Sequence, residues 1–433
     1  MEKTQLWCQV RIQRKMNGIE QNPKLGTYVV GNRSFYSKPE ALIYATQSKE
    51  PVSWKFNDIA FAKFNWAVEP EASLSEIYRR RAQQLRDTYN WIRVEASGGA
   101  DSTTAIYSFL LNGIHLDEIV FRYPKQVDKD VTDDPYNTKP ENTLSEFRFA
   151  AKPLLEWVKV HSPKTTITIQ DYSDNLLKDN YMKDESWVFT TRDWFQPGHG
   201  IKHNNFGTNE HRSLADSGKK ICVLYGVDKP KIAVVDNNWY LYFTDTHANH
   251  ANPVVGDYTN ITSELFYWTP DMPEIGAKQA HVIRRWFDMP QNQHLKHIVH
   301  HANSNADQRT TYENLIKTII YPDYDPDTWQ TAKPTTSFYN EMDHWFHVNL
   351  AGTQLYSAWE AGLKMLVDKI DKCYFISKMG KPVGLTLYRS PMYYIGEEVQ
   401  VANNTPIFRN NEYLKTNTEI KLIKDKKIKK LTV

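Results

Sequence analysis

A short stretch in the first quarter of the chain combines glycines, hydroxyl side chains and an acid, a composition suited to binding a charged ligand. It reads Ser97-Gly98-Gly99-Ala100-Asp101-Ser102 and is followed by Thr103. Glycines let the backbone approach a ligand closely, so that N–H groups can point at an anion. The hydroxyl groups supply further donors to phosphate oxygens. The stretch therefore predicts a loop that holds the pyrophosphate of a nucleotide.

Asp101 needs its own explanation, because a carboxylate repels phosphate unless a cation lies between them. Mg²⁺ is commonly held by one or two carboxylates together with phosphate oxygens. We therefore expect Asp101 to bind Mg²⁺ and, with Ser97, to act in catalysis. The sequence contains no GxxxxGK[ST], GxGxxG or GxSxG motif, which excludes a Walker loop, a dinucleotide fingerprint and a nucleophile elbow.

Strand and helix patterns alternate around this loop. "WIRVEA" predicts a strand before it, and "TTAIYSFLLN" predicts a helix after it that ends at Gly113. Further strands are expected at "DEIVFRYP" and "TTITIQDY", with a helix at "FAAKPLLEWVKV" between them. This alternation predicts an α/β fold with a parallel twisted sheet and helices on both faces.

Three regions are expected along the chain. Residues 1–70 are predicted to be small and strand-rich, 71–290 to form the nucleotide-binding α/β domain, and 291–433 to be a mixed region with a basic tail. A helix is expected to start at Ser73, with Glu76 in capping-box spacing. "KIAVVDNNWYLYFTD" predicts a hairpin, and residues 276–288 predict an amphipathic helix.

The loop matches the SGGxDS signature of the PP-loop ATP pyrophosphatases, and roughly residues 71–290 resemble that superfamily. "CVLYGVDKP" and "ELFYWTPDMPEIGAKQAHVI" are similar to distant members near the sulfate-assimilation reductases, many of them encoded by phages. The resemblance implies a HUP-like core that uses ATP and Mg²⁺. Such enzymes adenylate a carbonyl or carboxylate oxygen, release pyrophosphate and let a nucleophile displace AMP.

The resemblance also assigns residues to the ATP site. Those that match the loop signature, with Thr103 just beyond it, are Ser97, Gly98, Gly99, Asp101 and Ser102. Adenine is expected against the end of the second strand, at Phe121 and Arg122. In "YGVDKPK", Lys229 is expected to reach the phosphates or the adenylate; the alternative is an ordinary polar turn.

The sequence departs from several members of the superfamily. Glu2 stands where a glutaminase of the asparagine synthetase type needs a terminal cysteine, so that activity is excluded. Cys8, Cys222 and Cys373 are too few and too dispersed for a four-cysteine zinc site or for an iron–sulfur cluster. Cys373 also lacks the ECG-type context of the reductases.

Composition sets the remaining limits. The net charge is +2, and no run of eighteen apolar residues occurs, so we expect a cytoplasmic protein without membrane segments. The expected partners are ATP and an acceptor, either a small molecule or a nucleobase or nucleic acid. The sequence does not fix the oligomeric state. Two other functions stay open: a nucleotide-binding module without turnover, and a protein related to the sulfate-assimilation reductases.

Several histidine and lysine clusters have two interpretations each. "PGHGIKHNNFGTNEHR", with His199, His203 and His211, is either a substrate lid or a surface loop, and a zinc site is a lesser alternative. "DTHANH", with Asp245, offers the same choice between metal and loop. His297, His300 and His301 favour a solvated face. The lysines of 421–430 favour a solubilising tail over a nucleic-acid contact.

Overall fold

The computed structural model describes residues 23–126, 146–171, 173, 184–189, 209–245, 259–300, 306–324, 341–378 and 380–399. The chain divides into two compact units, 1–396 and 397–433, and the candidate site lies in the first. None of the helices in the described ranges has both the length and the apolar composition that a bilayer crossing requires.

The first described residues form a small antiparallel sheet, as their β-forming composition predicts. Strand β1 (Thr27–Val30) lies between β2 (Arg33–Phe35) and β3 (Val52–Lys55). Helix α1 (Lys38–Ser48) connects β2 to β3, and a short helix α2 (Asp58–Phe61) follows.

Helix α3 (Leu74–Thr88) begins where the capping box predicts. The Ser73 side chain accepts a hydrogen bond from the backbone N–H of Glu76 at 3.2 Å, which satisfies one of the unpaired donors of the first turn. The apolar positions that the helical period predicts to be buried are indeed buried: Leu74, Ile77, Ala82 and Leu85. The local sequence therefore predicts both the start of this helix and its buried face.

A strand, a helix and a strand then repeat along the chain. They are β4 (Trp91–Ala96), α4 (Ala100–Leu110), β5 (Glu118–Tyr123), α5 (Lys152–His161), β6 (Thr166–Asp171), α6 (Asn209–Asp216) and β7 (Ile221–Tyr225). A single π-helical turn, Glu146–Ala151, leads directly into α5. The predicted hairpin follows as β8 (Lys231–Val235) and β9 (Asn238–Tyr242), and β10 (Ile261–Leu265) completes this part.

Five of these strands form one all-parallel sheet, which confirms the predicted α/β class with a parallel sheet. The order is β10-β7-β4-β5-β6. From β4 the chain adds β5 and β6 on one side, and it then returns to add β7 and β10 on the other. The order therefore reverses between β4 and β7. In sheets of this kind, the crevice at such a reversal is where ligands bind, at the carboxyl ends of the strands.

The rest of the chain adds helices and short strands. They are α7 (Glu274–Asp288), α8 (His297–His300), α9 (Ala306–Ile320), α10 (Glu341–Leu350), α11 (Gln354–Lys369), β11 (Phe375–Lys378), β12 (Lys381–Leu385) and β13 (Tyr393–Glu397). Strands β13, β9 and β8 form a separate three-stranded sheet in which β9 lies in the middle.

The main hydrophobic core draws on all three of the regions predicted from sequence. It contains Tyr28 of β1, Ile106 of α4, Ile275 of α7 and Ile316 of α9. Side chains from both sides of residues 70 and 290 thus pack in one cluster, and the proposed division at those points stays a prediction.

Candidate functional site

The backbone between β4 and α4 makes a turn that only glycine fits at its second residue. Gly98 has φ +72°, a conformation that L side chains rarely adopt. A Cβ atom there would lie 2.6 Å from the backbone nitrogen of Ala151 and 2.7 Å from the carbonyl carbon of Ala150. The loop is therefore pressed against the π-helical turn that leads into α5, and any side chain at Gly98 would collide with backbone.

The serine hydroxyl groups stabilise the turn from inside. Ser102 Oγ accepts a hydrogen bond from the N–H of Ser97 and donates one to the carbonyl of Gly99, both at 3.2 Å. Ser97 Oγ lies 3.3 Å from Ser102 Oγ and accepts from the Gly99 N–H at 3.4 Å. Both serines that were predicted to bind phosphate thus stabilise the loop through hydrogen bonds within it. Thr103 is buried, and its hydroxyl has no partner among the described residues.

The start of α4 offers donors to an anion. Within the described ranges, the backbone N–H groups of Ala100, Asp101 and Ser102 have no hydrogen-bond partner. Such unpaired N–H groups carry the positive end of the helix dipole. The backbone N–H groups at this helix start are therefore unpaired, whereas the two serine hydroxyl groups are engaged within the loop.

The turn after β7 lies directly against this helix start. A Cβ atom on Gly226 would be 2.7 Å from the Cα of Ser102 and 3.0 Å from the carbonyl carbon of Asp101. This close approach brings the segment that carries Asp228 and Lys229 to the end of β4. The strand order reverses at this end of β4, and ligands bind at such a reversal in sheets of this kind.

Lys229 joins the two segments. Its ammonium nitrogen lies 2.9 Å from Asp101 Oδ1, 2.8 Å from Asp101 Oδ2 and 3.1 Å from Asp228 Oδ1. Lys231 continues the chain of charges, at 2.9 Å from both Asp228 Oδ2 and Glu313 Oε1. Two predicted catalytic residues, Asp101 and Lys229, are therefore in direct contact.

These two groups remain charged although Lys229 is buried and Asp101 is partly buried. Burial raises the pKa of the Asp101 carboxyl, but the charge and hydrogen bond of Lys229, together with the hydrogen bond from Tyr321, outweigh burial, and the net pKa lies below the usual value. Burial lowers the pKa of Lys229, but Asp101 and Asp228 raise it to a net value above the usual one. The pair is therefore ionised throughout the neutral range. With Lys231 and Glu313, the network holds three carboxylates and two ammonium groups, an excess of one negative charge.

Two tyrosines hold Asp101 from the side of β10 and α9. The Tyr321 hydroxyl donates to Asp101 Oδ1, and the Tyr267 hydroxyl donates to the backbone carbonyl of Asp101 at 2.8 Å. Their ring centroids are 5.6 Å apart. Both the side chain and the backbone of Asp101 are thus fixed by phenol groups.

Sequence reasoning missed Tyr267, Tyr321 and Glu313. Tyr267 follows the end of β10, so the strand order could have placed it near the loop had the order been known. Tyr321 and Glu313 lie in the C-terminal region that the sequence separates from the nucleotide domain. No local pattern marks their long-range contacts.

The two residues predicted to contact adenine lie in β5 with different surroundings. Phe121 is fully buried in the core, with its ring centroid 5.4 Å from that of Phe147. Arg122 Nε donates to Glu95 Oε2 at 3.0 Å, and Glu95 also accepts from Arg93 at 3.0 Å. The side chain of Phe121 is therefore enclosed by protein, whereas Arg122 belongs to a buried ion-pair group on the sheet.

The other sequence clusters are described only in part. Asp245 is buried and accepts a hydrogen bond from the Tyr28 hydroxyl at 2.8 Å. It also forms an ion pair with Lys38 Nζ at 2.7 Å. These contacts connect β1 and α1 to the segment that follows β9. His297 and His300 are exposed, as predicted for a solvated face. The remaining residues of the histidine clusters and of the basic tail lie outside the described residues or side chains, so the interpretations given for them stay predictions. They are His199, Lys202, His203, His211, Arg212, His247, His250, His301 and 421–430.

Removing the Tyr321 hydroxyl should destabilise the fold measurably. We expect Tyr321→Phe to lower the free energy of unfolding by about 1.5–3 kcal/mol, because the lost hydrogen bond goes to a charged acceptor. Tyr312→Phe is the matched control, since that hydroxyl donates to the neutral carbonyl of Pro230 at 2.9 Å. Its expected cost is about 0.5–1.5 kcal/mol. Urea unfolding at pH 7 measures both, and equal losses would contradict a charged acceptor for Tyr321.

No family model and no curated protein matches the chain.

Proposed function

We propose that the protein is an ATP-dependent adenylating enzyme of the ATP pyrophosphatase type. The observation that carries the proposal is the SGGxDS loop, from Ser97 to Ser102, at the reversal point of a parallel sheet. There the helix start offers unpaired N–H groups, and a buried lysine lies beside it. Unpaired N–H donors at a helix start are the groups that bind phosphate, and the ammonium group of Lys229 supplies a cation next to them.

The chain's own residues have distinct tasks in the proposed reaction. The N–H groups at the start of α4 bind the β- and γ-phosphates, and Gly98 allows the loop to approach them. A carbonyl or carboxylate oxygen of the acceptor attacks the α-phosphorus, and the bond from the α-phosphorus to the bridging oxygen breaks. Pyrophosphate leaves with that electron pair. A nucleophile then displaces AMP. Lys229 stabilises the negative charge that develops on the departing pyrophosphate.

The predicted magnesium ion does not fit the side chains as they stand. Both oxygens of Asp101 accept from Lys229, and Tyr321 donates to one of them. Asp228 is engaged by Lys229 and Lys231. Mg²⁺ needs near-octahedral oxygen ligands at about 2.0–2.1 Å, which these engaged carboxylates do not offer. We therefore assign no step of the reaction to a metal held by Asp101.

A nucleotide-binding module without turnover is the second candidate. The specific observation in its favour is the closed network around Asp101, whose partners Lys229 and Tyr321 also stabilise the fold. A reductase-like protein has less support, because Cys373 is exposed and its described hydrogen bonds are to Asp371 rather than to the loop.

The test separates these functions with two assays on the full-length protein. Calorimetric titration with ATP measures binding, and chromatography measures AMP and pyrophosphate after incubation with acceptors. The acceptors are carboxylic acids, nucleobases with a ring carbonyl, and RNA. Binding with acceptor-dependent AMP release is the expected result. Binding without AMP release from any acceptor favours the module, and absence of ATP binding contradicts both.

A further inference from the structure

We propose that Lys229 takes the place of a divalent cation in this site, so that Asp101 acts by holding a lysine rather than a metal. The inference deepens the proposed function, and for its role toward nucleotide it rests on that function. Its structural claim, that an ammonium group fills the cation position between Asp101 and Asp228, stands on the geometry alone.

The ammonium group occupies the centre of a two-carboxylate site. It contacts three carboxylate oxygens at 2.8–3.1 Å, two from Asp101 and one from Asp228. A divalent ion that bridged these residues would occupy the same position between them. The remaining oxygen of Asp228 is bonded to Lys231, and Oδ1 of Asp101 also accepts from Tyr321. All four carboxylate oxygens of Asp101 and Asp228 therefore accept hydrogen bonds from protein groups.

Displacing this lysine would be costly. Its side chain is 7 % exposed, so an ammonium group that left the two carboxylates without reaching solvent or phosphate would be buried and unpaired. The backbone around it is held as well: Gly226 packs on the start of α4, and the Tyr312 hydroxyl donates to the Pro230 carbonyl. These contacts fix where the lysine enters the site.

The arrangement also explains the acid in a phosphate-binding loop. Alone, Asp101 would repel phosphate, but its ion pair with Lys229 offsets that negative charge. Magnesium that arrives with ATP then remains on the nucleotide and needs no ligand from Asp101. Among the described residues, no three histidine, cysteine or acidic side chains form a group that could hold a metal.

The experiment is a Mn²⁺ titration of the full-length protein without nucleotide, followed by electron paramagnetic resonance. We expect no Mn²⁺ site in the wild type that depends on Asp101. Lys229→Met removes the ammonium group and leaves Asp101 and Asp228 without it, so it should create a Mn²⁺ site at least about tenfold tighter than any Mn²⁺ binding by the wild type, or about 1.4 kcal/mol. The double variant Lys229→Met/Asp101→Asn should lose that gain.

Lys278→Met is the matched control. Lys278 is also a largely buried lysine bonded to a carboxylate, Glu69, at 2.7 Å, but the described contacts of its ammonium group include no second carboxylate. It should gain no Mn²⁺ site. Mn²⁺ binding by the wild type that Asp101→Asn abolishes would overturn the proposal. So would a folded Lys229→Met variant that gains nothing.

Wild-type crystals soaked in MnCl₂ give a second measurement in case Lys229→Met does not fold. An anomalous peak at Asp101 would overturn the proposal, and Lys229 in place beside Asp101 without such a peak would support it. Neither experiment contains nucleotide. A wild type that fails to bind ATP therefore defeats the proposed function, while Mn²⁺ alone decides the role of Lys229.

Discussion

Gly98→Ala should weaken ATP binding by at least about a hundredfold, or more than about 2.7 kcal/mol. Two costs combine at this residue. A left-handed conformation costs an L side chain roughly 1–2 kcal/mol. The new Cβ would also lie 2.6–2.8 Å from backbone atoms of Ala150 and Ala151, which cannot move aside as a flexible side chain can. The loop must therefore shift away from the geometry that leaves its N–H groups at the start of α4 unpaired.

Two other glycines separate these costs. Gly113 has φ +68°, and a Cβ atom added there would meet nothing within 4 Å, so Gly113→Ala adds conformational strain alone. Gly226 lacks the positive φ, but its Cβ would be 2.7 Å from Ser102, so Gly226→Ala adds collision alone. Calorimetry with ATP, after circular dichroism has established folding, should rank Gly98→Ala as the most damaging and Gly113→Ala as nearly silent. Equal affinity in the Gly98 and Gly113 variants would show that the loop does not bind ATP.

Asp101→Asn is expected to reduce the release of AMP and pyrophosphate at least about a hundredfold, the cost of losing one preorganised electrostatic group. The substitution keeps the shape and removes the charge. Lys229 then keeps only Asp228, which it shares with Lys231, so its ammonium group is no longer held at the loop. Initial rates with a productive acceptor measure the loss, and ATP affinity shows whether binding falls with it.

Glu313→Gln is the matched control for this substitution. It makes the same carboxylate-to-amide change at the far end of the network, where Glu313 contacts Lys231 rather than Lys229. The contact between Asp101 and Lys229 persists, so we expect the rate of AMP and pyrophosphate release to fall by less than about tenfold. That limit corresponds to the free energy of about one hydrogen bond. If both variants lose activity equally, the network acts through overall stability and Asp101 has no special role.

Local patterns predict the elements around the site well. "WIRVEA" forms β4 as predicted, Ser73 caps α3, and the Asp236-Asn237 turn joins β8 to β9. Each of these depends on residues close in sequence, through side-chain alternation, capping or turn chemistry. The glycine-rich loop was predictable for the same reason, because the motif is continuous.

The contacts of the site between residues far apart in the chain could not be predicted from local sequence. The contact of Lys229 with Asp101 depends on β7 lying next to β4, which strand patterns alone do not specify. Phe121 was expected at the nucleotide, yet every residue of β5 is buried, so no alternation shows which of its side chains a ligand can reach. Tyr321 reaches Asp101 from 220 positions away.

That separation has a consequence for how the site is made. The entropy cost of closing a loop rises only slowly with its length, but contacts between residues so distant in the chain slow folding. During synthesis, the loop from Ser97 to Ser102 leaves the ribosome long before Tyr321 and Glu313 exist. Until then Asp101 lacks the hydrogen bond from the Tyr321 hydroxyl, and Lys231 lacks its ion pair with the Glu313 carboxylate. The nascent chain should therefore complete its sheet first and its charge network last, and a fragment that stops at residue 290 should never complete that network.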